Sequence, residues 1–316
     1  MTASVLPSLS VVVPAYRSPT TLAQLVQKVL DETASLASTT EIIFVDDGSP
    51  DDTWERVTAL SRAHPEVRAL RLSRNYGQHN ALLAGVRAAT GDLVLTMDDD
   101  MQNPPDQIPV LFAALAADID LVYGYAESEQ QSAFRNVASR STKRMMRAGM
   151  GDAVNPRHSA FRLFRRRLVG AAAGVRDPFV SLDVVLSWAT ARQAAVPVRF
   201  DVRSGGVSGY TFNKLVRHAL NMITGFGVLP LRIVSWLGFA LSLVGFALAG
   251  YVVVRFLFFG TSVQGFTFLA AAINVFAGAQ LLSIGVLGEY LGRVHFRSMG
   301  RPVYLVAGRE GWNDSE

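Results

Sequence analysis

The segment MDDDMQNPP, Met97 to Pro105, sets three consecutive aspartates directly after the apolar run DLVLTM. Adjacent like charges repel one another and add nothing to packing, so the cluster needs a compensating cation. Read as extended chain, Asp98, Asp100 and Gln102 alternate and present three oxygens to one side. Hard oxygen donors of this kind suit Mg²⁺ or Mn²⁺, ions that join a carboxylate to substrate phosphates. The plainer alternative is a solvated acidic turn leading into a helix that starts at Pro-Pro. A second cluster, FVDDGSPDDT, runs from Phe44 to Thr53. There Asp46 and Asp47 close an apolar run, Gly48 and Ser49 turn the chain, and Asp51 or Asp52 can cap the next helix. Capping accounts for the later acids but not for Asp46, whose carboxylate would face the strand-end crevice and could accept an N–H from a nucleobase. In VVVPAYRSPTT, Pro14 and Tyr16 could wall that base, or Tyr16 could be ordinary packing. Gly77 in LSRNYGQHNA marks a strand-to-helix turn that a ligand can approach closely.

The elements that must position these residues are legible in the first 125 positions. Apolar β-branched runs, Leu9 to Pro14, Glu41 to Asp46, Val67 to Leu72, Asp92 to Met97 and Ile119 to Gly124, alternate with helical stretches at Thr20 to Val29, Asp52 to Arg62, His79 to Ala88 and Asp106 to Ala116. Such alternation predicts an α/β fold with a mostly parallel sheet covered on both faces. Ligands of these sheets bind beyond the carboxyl ends of the strands, where both acidic clusters fall. A further strand is expected around Ala195 to Asp201. No GxxxxGK[ST] phosphate loop occurs, and no GxGxxG in the first strand-helix turn, which weighs against a Walker-type site and a dinucleotide oxidoreductase.

The chain has 316 residues, of which 50% are hydrophobic and 18% charged, and its mean hydropathy is +0.25. That is too apolar for an ordinary soluble domain and too charged for a bundle of membrane spans. Ile233 to Val254 carries no charge over 22 residues and Phe266 to Gly288 none over 23. At about 1.5 Å per residue each can cross a hydrocarbon core of roughly 30 Å. Arg217, His218 and Arg232 before the first stretch, with Arg293, Arg297 and Arg301 after the second, place both outer flanks in the cytosol by the positive-inside rule. The expected organisation is a catalytic unit over 1–210, an amphipathic juxtamembrane helix over 211–232, a transmembrane hairpin over 233–290 with spans near 233–256 and 266–288, and a cytosolic tail over 291–316. The N-terminus has no secretory pattern, so a multi-pass protein of the plasma (inner) membrane with both termini cytosolic is expected. The hairpin's glycines are compatible with a homo-oligomer, a dimer or tetramer. There is no cysteine, so any metal must be held by oxygen or histidine. The net charge of +4 hides an asymmetry: residues 1–125 carry 8 Lys/Arg against 16 Asp/Glu, and residues 126–232 carry 17 against 6. An acidic cation site beside a basic anion site would produce it. No nucleic-acid partner is expected.

Taken together, SVVVPAY, EIIFVDDGS, LSRNYGQ, GDLVLTMDDDMQNPP and GVSGYTFNKLVRHALNMITGFGVLPLR resemble the family 2 inverting glycosyltransferases, and within them the polyprenyl-phosphate glycosyltransferases related to dolichyl-phosphate mannose synthase. The resemblance runs from about Leu9 to Pro302. It implies a GT-A (nucleotide-diphospho-sugar transferase) domain plus the C-terminal helical hairpin, a nucleotide-sugar donor with uridine the commonest base, a Mg²⁺ or Mn²⁺ cofactor and a polyprenyl-phosphate acceptor. By the same resemblance Pro14, Tyr16, Asp46 and Asp98 bind the nucleotide. Asp98, Asp100 and Gln102 match a metal-binding D-x-D-x-Q, while Arg135, Ser139 and Arg203 match phosphate-binding positions. Asp98, Asp100 and Arg135 would be the catalytic group. The sequence departs from the family at Arg17 and Ser18, where Asn-Glu is frequent, at Tyr125 or Ala126, where an Arg is frequent, and at Ala160, where an acid is frequent. With that acid missing, Asp183 in SLDVVLSW is the nearest candidate for an acceptor-side acid; the alternative is a polar position on an amphipathic helix. A phosphate monoester with a second pKa near roughly 6 is already a nucleophilic dianion at neutral pH, so a base is dispensable. The basic segment from Arg135 to Arg167 would then draw in the acceptor phosphate. Two other readings are a processive polysaccharide synthase, which should carry a Q-x-x-R-W motif that is absent here, and a non-catalytic nucleotide-binding membrane scaffold, which would have no need of Asp98 and Asp100.

Overall fold

The structure, a computed structural model, describes residues 6–18, 21–126, 157, 159–175, 181–201, 229–259, 265–300 and 302–312. The chain divides into two compact units: Met1–Arg140, Asp152–Gly209 and Arg301–Glu316 form one, Ser141–Gly151 and Tyr210–Gly300 the other.

The first unit is an α/β layer structure. Four strands and three helices alternate as expected: β1 (Leu9–Ala15), α1 (Leu22–Thr33), β2 (Thr40–Asp46), α2 (Thr53–Ala63), β3 (Val67–Leu72), α3 (Gln78–Ala88) and β4 (Leu93–Thr96). A 3₁₀ turn at Pro105–Gln107 opens α4 (Ile108–Ala114), followed by β5 (Leu121–Ala126), β6 (Arg162–Arg165), α5 (Val169–Ala173), α6 (Leu182–Ala189) and β7 (Gln193–Val198). The sheet order is β7-β5-β6-β4-β1-β2-β3, with β8 (Val306–Glu310) added at the β3 edge. β1 pairs in parallel with β2 and β4, β2 with β3, and β5 with β7. β6 runs antiparallel between β4 and β5, and β8 antiparallel to β3. β1 and β2 are buried almost end to end, and Val11, Val13, Ile42 and Phe44 fill one face of the sheet while Val12, Ile43 and Val45 fill the other. Burial on both faces is why these runs read as unbroken apolar stretches. Pro14 is tolerated in the central strand because the β4 ladder has ended at Val12↔Thr96.

Two features differ from the expected organisation. The stretch over 291–316 does not separate as a tail: β8 completes the sheet of the first unit, Ser73 N–H donates to the Leu305 carbonyl at 2.9 Å and Trp312 Nε1 donates to the Ala69 carbonyl at 3.2 Å. A short Val-Ala-Gly-Arg-Glu run has no apolar periodicity, so only an open sheet edge reveals it as a strand. Within the second unit the described helices are α7 (Leu229–Phe259) and α8 (Phe266–Ser298), and α8 runs on through Arg293 and Arg297. Among the described residues one stretch, Val275–Gly292, is long and apolar enough to cross a membrane, and Val234–Ala247 forms a shorter apolar stretch. The two helices pack on each other; a Cβ added at Gly245 would lie 3.4 Å from the Phe276 ring. Of the 211–232 segment, 211–228 lies outside the described residues.

Candidate active site

The carboxyl ends of β1 to β4 share one edge of the sheet, and the register sets their last residues side by side: Ala15 opposite Asp46, Asp46 opposite Arg71, Val12 opposite Thr96. Asp46 is fully buried. Its Oδ1 accepts the Ser49 N–H at 3.0 Å, while Oδ2 has no hydrogen-bond donor and lies 3.4 Å from Arg71 Nε. Burial raises the Asp46 carboxyl above its ordinary range, opposed by the Ser49 hydrogen bonds and the Arg71 charge. An orphaned buried acceptor is costly. An N–H brought to that oxygen would relieve it. Tyr16, at 42% exposure, stands at the mouth with the Arg17 guanidinium over its ring.

Asp47 faces a different task. Its two oxygens accept the Tyr76 and Gly77 N–H groups at 2.7 and 2.8 Å, tying the β3–α3 loop to the end of β2. Burial raises this carboxyl too, against those two hydrogen bonds. Gly48, at φ +64, lies hard against that loop, since a Cβ there would stand 2.4 Å from the Arg74 carbonyl carbon.

The aspartate triplet follows β4 as a turn and not as extended chain, with Met101 at φ 58. The alternation expected of Asp98, Asp100 and Gln102 is therefore replaced by local closure, in which Asp100 Oδ1 accepts the Gln102 N–H at 3.1 Å. Side chains from the start of α3 and from the β1–α1 loop reach the other two carboxylates. Gln78 Nε2 donates to Asp98 Oδ1 at 2.6 Å, and the Ser18 hydroxyl donates to Asp99. Ser18 is in turn held by its own N–H, donated to the Thr53 hydroxyl at 3.0 Å. The Arg17-Ser18 departure thus places a hydroxyl against the middle aspartate. Among the described residues no three Asp, Glu or His side chains form a ready-made metal cage. The donor chemistry nevertheless fits Mg²⁺ or Mn²⁺, which take one or two carboxylates and complete their shell with water and substrate phosphate.

Two expectations change. Asp183, on α6, does not face a substrate as a free acid: it forms an ion pair with Arg162, a side chain only 1% exposed. Arg162 Nε donates to Thr96 Oγ1 at 2.9 Å, and that hydroxyl donates to the Ala160 carbonyl at 2.6 Å. Tyr123 is buried in the same group, and burial together with the Asp183 charge raises its hydroxyl pKa. Of the basic segment ending at Arg167, the described Arg165, Arg166 and Arg167 also do not lie at this edge. β6 reverses direction, so Arg162 lies opposite Thr96 but Arg165 lies opposite Leu93. Arg165 and Arg167 ion-pair with Asp120, as does Arg192 at 3.1 Å, while Arg166 donates to the Thr90 carbonyl. Of the same segment, Arg157 stacks over Tyr125 with its guanidinium 4.5 Å from the ring centroid and donates to the hydroxyl at 3.0 Å, at the end of β5. Arg135, Ser139 and Arg203 lie outside the described residues. A cleft of about 390 Å³ opens at the opposite end of the strands, lined by Ser8, Thr40, Glu41, Arg68, Thr90 and Gly91. None of the aspartates of the two clusters lines it.

Sequence reasoning missed Gln78, Arg71 and Arg162. A polar residue directly after the Gly77 turn was the available signal for Gln78; Arg71 could be found from β2–β3 register, and Arg162 only from the fold.

The two acidic clusters lie at the carboxyl edge of the sheet, where ligands of such folds bind. The chain belongs to glycosyl transferase family 2, whose model matches residues 10–171. It is 34% identical over 300 residues to the undecaprenyl-phosphate 4-deoxy-4-formamido-L-arabinose transferases of Klebsiella pneumoniae and Sodalis glossinidius, covering 94% of this chain and 92% of each relative. Its fold resembles that of glucosyl-3-phosphoglycerate synthase from Mycobacterium tuberculosis, solved with Mn²⁺, uridine diphosphate and phosphoglyceric acid. The TM-score is 0.51 at 21% identity, over 69% of this chain and 76% of that one.

Proposed function

We propose that this glycosyltransferase moves a sugar from a nucleotide-diphosphate sugar, a UDP-sugar being the first donor to test, to polyprenyl phosphate, with inversion at the anomeric carbon, for cell-envelope glycan modification. The observation that carries the reading is the extent of the likeness to undecaprenyl-phosphate transferases: 94% of the chain, against the 10–171 matched by the family model. It therefore takes in both long helices as well as the sheet.

Connectivity supports a membrane hairpin. Val275–Gly292 has the length and apolarity of a span. The chain leaves the sheet unit before Tyr210 and rejoins it at Arg301, and β8 pairs with β3. A single crossing would strand β8 across the bilayer from its partner, so α7 and α8 are read as a hairpin with the catalytic unit on the cytosolic face.

Asp46 and the Gly48 turn would receive the nucleoside, Tyr16 and Pro14 would flank it, and Asp98, Asp100 and Gln102 would hold the divalent cation, which when bound would supply positive charge to the diphosphate. Arg135, Ser139 and Arg203 are assigned to phosphate by their match to the family's motif positions. The acceptor phosphate, a dianion at neutral pH, attacks without a protein base. Its oxygen forms the new bond to the anomeric carbon as the bond to the nucleoside diphosphate breaks, and the electron pair leaves on the diphosphate. Ala160 cannot take a proton, and Asp183 is engaged by Arg162, as a base-free step requires.

The purified protein in lipid nanodiscs, given Mn²⁺ or Mg²⁺, undecaprenyl phosphate and a panel of radiolabelled nucleotide sugars, should produce a label that extracts with the lipid. Absence of lipid-linked label with every donor overturns the proposal. Asp100→Ala should abolish the product while leaving the melting temperature within about 4 °C, since the half-buried carboxylate loses a local hydrogen bond, from the Gln102 N–H.

A further inference from the structure

Two of the side chains that donate to the aspartates after β4, Gln78 and Ser18, come from outside the motif and carry no charge. Gln78 is the first residue of α3, and its amide reaches across to Asp98 Oδ1 at 2.6 Å. The backbone that presents Gln78 is itself over-determined. Gly77 precedes it at φ +90, Asp47 holds the N–H groups of Tyr76 and Gly77, and Asn80 Nδ2 donates back to the Tyr76 carbonyl at 2.8 Å. A buried carboxylate therefore locks the loop, and the loop aims an uncharged donor at the first carboxylate of the cluster.

The choice of amide has a physical consequence. A lysine or arginine in this place would also orient Asp98, but it would cancel the negative charge that attracts a cation. An amide fixes the carboxylate's orientation and leaves its charge. The Ser18 hydroxyl does the same for Asp99.

We infer that Gln78 is a positioning residue for divalent-cation and nucleotide-diphosphate binding, acting through Asp98. This rests on the reading of the site as one that takes a cation with a nucleotide. Outer-shell partners of ligating carboxylates typically govern about 10–100-fold in metal affinity.

The test is Mn²⁺ binding to the full-length protein in nanodiscs with saturating UDP, followed by electron paramagnetic resonance, which needs no turnover. Gln78→Leu should weaken Mn²⁺ by about tenfold with an unchanged melting temperature. In the transfer assay the same variant should raise the Mn²⁺ concentration giving half-maximal rate and leave the rate at saturating Mn²⁺ within about twofold. Gln78→Lys keeps a donor but adds charge and should weaken Mn²⁺ at least as much. Asp100→Ala is the control on the site. If it abolishes Mn²⁺ binding while Gln78→Leu and Gln78→Lys bind within twofold of the native protein, the role of Gln78 is overturned and the site stands. If Asp100→Ala binds Mn²⁺ normally, the site reading fails and the inference with it.

Discussion

Asp183→Asn separates two roles for one carboxylate. Arg162 and Asp183 are buried at 1% and 11% side-chain exposure, so solvent screens their attraction little. Arg162 Nε also donates to the Thr96 hydroxyl. Neutralising Asp183 leaves a guanidinium in the core without a counter-ion, and breaking such a pair costs about 3–5 kcal/mol. For a unit of this size, at about 2–4 °C per kcal/mol, that is a drop of roughly 6–20 °C in melting temperature. Replacing both partners removes the stranded charge, so Arg162→Met with Asp183→Leu should recover most of the loss. Differential scanning fluorimetry in detergent, with the single and double variants side by side, measures both quantities. Turnover of folded Asp183→Asn at low temperature should persist, because the acceptor needs no base. An unchanged melting temperature together with abolished transfer would refute this account and return Asp183 to the acceptor side.

Asp46→Asn should stabilise the ligand-free protein at pH 7 and weaken nucleotide binding. Burial raises the Asp46 carboxyl above 3.8, so the folded chain holds its proton more tightly than the unfolded chain does. The stability this provides is present below pH 3.8 and is lost as pH rises through the raised value, leaving a net penalty at neutrality. A melting-temperature gap between Asp46→Asn and native protein that narrows on acidification toward that window is the expected signature, with UDP affinity read by calorimetry. Gly48→Ala meets the Arg74 backbone at 2.4 Å on top of a positive φ. It should cost about 2–4 kcal/mol, seen as a shift in the urea midpoint, because backbone on both sides cannot yield.

Part of this molecule was legible without coordinates. The runs that became β1 and β2 are rich in β-branched residues and buried on both faces, those that became β3 and β4 are largely apolar, and the turn residues after them marked the site edge. Asp46 and the aspartate triplet were identifiable because acids at the ends of apolar runs have no packing role. The inserted strand β6 was not legible: its sequence reads Arg-Leu-Phe-Arg and suggested an anion-binding surface. Its first arginine is neutralised by an aspartate on α6 and its last by Asp120.

Local pattern, then, determined which segments are strands or helices, where the chain turns, and which acids have chemistry to do, because periodicity, capping and charge repulsion act between near neighbours. Tertiary structure alone decided which charges are spent inside the protein. Arg162 with Asp183, Asp47 with the Gly77 loop, Gln78 with Asp98 and β8 with β3 are all pairings across distant sequence. Whether a charged or polar side chain is a ligand or a brace depends on the partner that the folded chain brings to it.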